Sequence, residues 1–200
     1  MTSKLKTDIL ETVSGSGTIA LTNQLSGMTT ASLPSLGSAQ MPSGSVVQVV
    51  QNVKTDTFTV SSTTFVTITG FDVTITPTSA SSKVMIDLSL HIGEGQDTFP
   101  LFRMYRGSTE LTIPSAIGSG EAGMFGKTTT EASARDVYLI EPVNFKFLDT
   151  PSTTNAVTYS IKVRPMSTTS RTIYVNRSNT IGDANQYTTI STITATEIKG

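Results

Sequence analysis

From Val46 onward, apolar and polar positions alternate in short bursts divided by turn signals. The clearest burst places Val84, Ile86, Leu88, Leu90 and Ile92 on one face, with Met85, Asp87, Ser89 and His91 on the other. Five in-phase apolar residues have the two-residue period of a half-buried β-strand, which Gly93 and Gly95 are expected to end. Val157, Tyr159, Ile161 and Val163 alternate in the same way, as do Phe71, Val73 and Ile75 up to Pro77. Thr57–Val60 and Thr64–Thr69 read as Thr-rich strands. Leu101–Tyr105 and Thr109–Ile113 flank Arg106-Gly107-Ser108 as a hairpin. Val137–Ile140 and Val143–Leu148 read as two strands interrupted by Pro142, followed by Thr172–Asn176 and a closing strand over Ile190–Ile198. Roughly nine or ten short strands, evenly spaced and without a helix, predict an all-β sandwich, jelly roll or barrel.

The pattern changes at Met41–Gln51 (MPSGSVVQVVQ), where Pro42 and Gly44 mark a boundary. Residues 1–43 are Ser, Thr and Gly with scattered apolar anchors. They are expected to form an extended attachment segment ordered by partner chains, with residues 44–200 as a separate β head. Val46, Val47, Val49 and Val50 read as the first strand of the head. Four valines exceed what a one-sided surface strand requires, so burial on both faces, against a sister subunit, is expected. Val47 and Val49 join Leu10, Ile19, Leu21 and Leu25 as the residues expected in subunit or attachment contacts.

Composition sharpens this picture. Only 14% of the 200 residues are charged, against about a quarter in a typical soluble domain. Ser and Thr fill the gap at roughly three residues in ten, and β-branched Thr suits a half-exposed pleated surface. The net charge of −1 argues against nucleic-acid binding. No apolar run approaches the ~20 residues of a membrane-spanning helix, and the first thirty residues lack the apolar stretch of a signal peptide. The chain contains no cysteine, so its stability is expected to come from subunit association rather than disulfides.

Candidate chemistry is sparse. His91 is the only histidine, and one His without Cys builds a zinc site only if three copies meet on a symmetry axis. Glu94, Asp97 and Glu110 lie near turns without a fixed separation and read as solvated loop charges. Neither Asp183 with Asn185 nor Asp149 matches a calcium loop. The glycines at 118, 120 and 123 lack the Lys-Ser/Thr pair of a phosphate cradle. No catalytic residue, metal or cofactor is expected. Arg103, Tyr105 and Arg106 beside the hairpin turn, Met124 and Phe125 in the long break from Pro114 to Arg135, and Tyr187 after the polar loop are the candidates for surface recognition. Aromatics and arginines dominate binding hot spots, and loops on a rigid sheet carry such contacts. Tyr105 and Tyr187 read equally well as caps on the sandwich core. Arg177 reads as structural, pairing with a carboxylate to pin its loop.

Several phrases together resemble a known family: GSVVQVVQ at Gly44–Gln51, LDTPSTTNAVTYSIKV at Leu148–Val163, IYVNRS at Ile173–Ser178 and STITATEI at Ser191–Ile198. They are similar, in this order, to tail-fibre-like structural proteins of marine and cyanobacterial tailed bacteriophages, as is the opening ILETVSGSGTIALTNQLSG at Ile9–Gly27. The resemblance implies a homotrimeric virion component that is not an enzyme. It would be made in the host cytoplasm, attach to other virion proteins through residues 1–43 and carry a jelly-roll-like β-sandwich head. The head loops would contact a glycan or protein of the host surface. The alternative is a capsid or neck decoration protein that braces the particle without binding a receptor. A polysaccharide-degrading tailspike is disfavoured, because the chain has neither the internal period nor the length of a solenoid.

Overall fold

The computed structural model describes residues 37, 40–94, 98–127, 138–166, 171–180, 182, 184 and 186–200. The chain divides between Gly37 and Ser38; the second unit is described here. Leu10, Ile19, Leu21 and Leu25 lie outside the described residues.

The strands are β1 (Val46–Lys54), β2 (Phe58–Val60), β3 (Val66–Ile75), β4 (Lys83–Glu94), β5 (Pro100–Arg106), β6 (Thr109–Glu110), β7 (Phe125–Gly126), β8 (Ile140–Asp149), β9 (Val157–Pro165), β10 (Ile173–Val175) and β11 (Ser191–Ile198). Every pairing between them is antiparallel. In the first sheet β4 is central, with β8 on one side and β11 then β1 on the other; β10 and β2 continue the lanes of β11 and β1. The second sheet runs β3-β9-β5, with the short β6 and β7 both on the far side of β5. Four lanes face four lanes, and the chain crosses between them in the order of a jelly roll. The expected all-β sandwich is therefore observed.

Alternation explains the core. Val84, Ile86, Leu88, Leu90 and Ile92 of β4 point inward, against Phe71, Val73 and Ile75 of β3, Phe102 and Met104 of β5, and Tyr159, Ile161 and Val163 of β9. Three expectations change in detail. Gly93 does not end β4, which runs to Glu94. Thr64–Thr69 and Phe71–Ile75 are one strand with an irregularity between Thr67 and Asp72, where Gly70 takes a φ of +73°. Pro142 does not interrupt β8: it pairs with His91 inside a continuous strand, because β8 is an edge strand where a missing N–H is tolerated.

The largest departure is β1. Its valines are not buried on both faces of the single chain: Val46 and Val49 are 51% and 59% exposed, and Val53 is 41% exposed. Val50 packs against the core, but Lys54 is fully buried. Gln48 and Asn52 share its inward phase. The reason is a partner that β1 cannot signal locally. Gln48 Nε2 donates to Thr76 O (2.7 Å), Asn52 Nδ2 to Gly70 O (3.2 Å) and Asp72 O (2.8 Å), and Lys54 Nζ to Thr69 O (2.7 Å). These side chains form a polar ladder along the β3 backbone and close one flank of the sandwich. An aromatic stack closes the opposite flank. Phe125 of β7 lies between Phe102 of β5, at 4.8 Å, and Phe145 of β8, at 4.5 Å between ring centroids.

At the end of the polar ladder, Glu197 is buried and accepts Gln48 Nε2 (2.6 Å), the Thr78 amide (2.8 Å) and the Thr78 hydroxyl (2.8 Å). Burial alone pushes its pKa up; hydrogen bonds led by that of Gln48 outweigh this and hold the carboxyl below its ordinary 4.5. A depressed folded pKa gives stability that is fully present above the unfolded value and is lost as pH falls through the folded one. Urea melts are therefore expected to lose stability as pH drops below about 4.5. Glu197→Gln should be less stable at neutral pH and show a flatter acid limb; parallel acid limbs would rule Glu197 out as a contributor.

Candidate functional site

The outer face of the second sheet is charged and internally paired. Arg103 Nε and Nη2 donate to Ala122 O at 3.0 and 2.8 Å, while Nη1 and Nη2 reach Glu110 (3.3 Å) and Glu121 (3.2 Å). Its guanidinium also lies 4.1 Å from the Phe65 ring centroid. Arg164 pairs with Glu121 as well. Tyr105 donates its hydroxyl to Glu110 at 2.6 Å, and Lys162 Nζ sits 3.9 Å from its ring centroid. Burial and the Glu110 hydrogen bond raise the Tyr105 pKa. Arg106 Nη1 donates to Asp149 at 2.7 Å, and Tyr159 OH donates to the same oxygen at 2.7 Å. Burial and that carboxylate push the Tyr159 pKa far up.

Arg103, Tyr105 and Arg106, expected as surface contacts, are in the single chain largely committed to holding the loop over 111–127 and the β8–β9 turn in place. Met124 and Phe125 likewise pack against the core, with the Met124 amide donating to Phe102 O at 2.8 Å. The proximity of β7 to β5 could not be read from a two-residue strand.

Tyr187 is different. It is 47% exposed and walls a hollow of about 390 Å³ lined also by Arg177, Ser178, Thr180, Gln186 and Thr188, within the size range of small-ligand sites. The hollow grows from the end of β10. Asn176 takes a left-handed φ of 60°, which Asn tolerates better than most residues, and turns the chain out of the sheet. An isolated bridge pairs Arg177 with Thr188, and Thr189 N donates to Asn176 O at 3.0 Å, so the loop base is fixed. Gln186 Oε1 accepts the Gly182 amide at 2.7 Å. Gly93 lies beneath this base: a Cβ there would come within 2.1 Å of Arg177 O, so only glycine lets the loop settle on β4.

Arg177 stacks on Tyr174, its guanidinium carbon 4.2 Å from the ring centroid. Among the described residues its hydrogen bonds are two long ones to uncharged oxygens, Nη1 to Ser178 O (3.3 Å) and Nη2 to Thr59 Oγ1 (3.4 Å). The carboxylate expected to pin it is not found among the described residues. Arg103, Arg106 and Arg164 each pair with an acid instead.

The remaining sequence candidates are dispersed. His91 lies on the outward face of β4 opposite Pro142, and Asp149 is occupied by Arg106 and Tyr159. Asp97, Asp183 and Asn185 lie outside the described residues. Among the described residues, no three His, Asp or Glu side chains are grouped to hold a metal ion, and no helix is long and apolar enough to cross a membrane.

The chain is thus an all-β protein of two packed antiparallel sheets with a polar hollow at the rim. No protein-family model matches it, and no curated protein is significantly similar. Among solved structures it is similar to that of infectious bursal disease virus Gx strain, at 14% identity over 76% of this chain and 37% of that chain, with a TM-score of 0.35. It is also similar to that of the Gt strain, at 12% identity over 84% of this chain and 47% of that one, with a TM-score of 0.36. The chain spans less than half the length of either.

Proposed function

We propose that this chain is a non-catalytic structural protein of a tailed-phage virion. In this reading it is a homotrimeric fibre anchored through residues 1–43, with head loops that contact the host surface. The observation that carries the assembled state is the contrast between the two outer faces. That of the second sheet is covered by the Arg103, Tyr105, Lys162 and Arg164 network. On the first sheet, Val49, Thr196, Met85 and Leu148 stand in one row across β1, β11, β4 and β8. In the next row are Gln51, Thr194, Asp87 and Lys146, whose two charges pair at 2.7 Å. A face with exposed Val49, Val53 and Leu148 and self-neutralised charge meets a copy of itself without repulsion, and exposed apolar patches mark interfaces. The phrase-level resemblance to tail-fibre-like proteins supports the virion assignment. Jelly rolls recur in capsid and lectin domains, though fold alone does not choose a function.

Light scattering of the purified chain is expected to give the mass of three copies, and Val49→Lys, at an exposed position, the mass of one with an unchanged circular dichroism spectrum. A monomeric wild type would remove the trimer. Gold-labelled antibody on intact particles should mark the tail. Label on the capsid would favour the decoration role, and unlabelled particles would overturn the virion assignment.

A further inference from the structure

We infer that the rim hollow binds an acidic sugar unit, a pyranose carrying a carboxylate, with Arg177 taking the carboxylate and Tyr187 receiving the face of the ring. The inference deepens the host-contact reading above and rests on it. Its first support is Arg177. A guanidinium presents five N–H donors in a planar fork matched to a carboxylate, yet among the described residues it makes only two long bonds, both to uncharged oxygens. Stacking on Tyr174 holds its plane in position, so little conformational entropy remains to be lost when an anion arrives.

The second support is Tyr187. Tyr187 is exposed at the edge of a concave surface rather than packed into the core; an aromatic face with a polar tip suits a ligand that is apolar on one side and hydroxylated on the other. Thr180, Gln186 and Thr188 line the hollow with polar side chains; Gln186 Oε1 is taken by the Gly182 amide, and the buried Ser178 hydroxyl by Thr180 O. The third support is rigidity. The Arg177–Thr188 bridge, the Asn176–Thr189 bond and the tight seat on Gly93 fix both walls on the sheet. A neutral sugar would leave Arg177 without its anion, and a bare anion would leave Tyr187 without a partner. The combination selects a ligand with both parts.

The test is a titration of the purified full chain, followed by amide and side-chain NMR, with methyl β-D-glucuronide, methyl β-D-glucoside and sodium acetate as separate probes. The glucuronide is expected to shift resonances of Tyr174, Arg177, Tyr187 and Thr188 and to bind at least about tenfold more tightly than the glucoside, the order of one charge-assisted hydrogen-bonded contact. Arg177→Gln should erase that preference, and Tyr187→Ala should weaken the glucuronide while leaving acetate unchanged. Arg177→Gln is scored only if resonances of β4 and β9 stay in place; Tyr187→Ala, at an exposed site, gives an independent reading. Equal binding of glucoside and glucuronide, equal binding of acetate and glucuronide, or shifts confined to residues away from the hollow would each overturn the assignment. Because the titration uses the isolated chain, its outcome is separate from that of particle labelling, which decides the virion assignment.

Discussion

Asn176→Ala is expected to destabilise the head more than any other single polar substitution, by roughly 3–5 kcal/mol in urea denaturation. Its side chain is fully buried, and every polar atom is engaged. Nδ2 donates to Lys54 O (2.9 Å) and Asp56 O (3.0 Å), and Oδ1 accepts the Ser191 hydroxyl (2.6 Å). Its amide donates to His91 O at 2.9 Å, and the same Ser191 oxygen accepts the His91 amide at 2.9 Å. One side chain therefore ties the end of β1 to β10, with β4 and β11 joined through Ser191. Alanine removes the partner of the buried Lys54 O bond, of the part-buried Asp56 O bond and of the Ser191 hydroxyl, a buried loss costing about 1–3 kcal/mol, and places a non-Asn residue at φ 60°. Asn176→Gly separates the two terms, since it keeps the backbone conformation accessible and loses only the hydrogen bonds. Alanine and glycine variants that both melt with the wild type would show that water replaces the side chain.

Lys54→Met is expected to cost about 2–3 kcal/mol, although Lys54 belongs to an ion pair with Asp56 at 2.8 Å. The two partners are unequal. The Lys54 side chain is 0% exposed and that of Asp56 is 73% exposed, so removing the ammonium strands no buried charge. What is lost is the hydrogen bond to Thr69 O, at the irregular part of β3. Methionine keeps the stem and fills the space. Asp56→Asn should then leave stability nearly unchanged, because the salt bridge is solvated on its acidic side. If the Asp56 variant falls as far as the Lys54 variant, the ion pair is the stabilising contact and the carbonyl bond is incidental.

Where a strand is covered on one side by its own sheet's core, its sequence announces it. β4 and β9 could be placed from alternation because their inward residues are uniformly apolar and their outward ones polar. β1 was legible as a strand from its valines, but which side it turns inward was not. Beside Val50, its inward residues Gln48, Asn52 and Lys54 are polar, and its outward Val49 and Val53 are apolar. The polar residues face inward because they bond backbone carbonyls of β3, which nothing within β1 itself signals. Pro142 misled for a related reason, since edge position is a property of the sheet and not of the strand. Phe125 was readable as an aromatic in a long loop, but its two ring neighbours come from β5 and β8. At the hollow, Tyr187 stood out by residue type. Arg177 did not, because an arginine that meets no carboxylate among the described residues is recognised only in space.

The two closed flanks bear on how copies can meet. Along one side, the carbonyls that β3 would offer to an incoming strand are occupied by side chains of β1; along the other, β8 carries Pro142 and the second sheet ends in the two-residue β6 and β7. The long edge strands β3 and β8 are thus each interrupted as templates for sheet growth from chain to chain, β3 by occupied carbonyls and β8 by a proline. Association is left to the broad faces and the rims, where a contact rotated about an axis closes after a fixed number of copies. Such a geometry favours contacts that stop at a fixed number of copies over open-ended strand pairing.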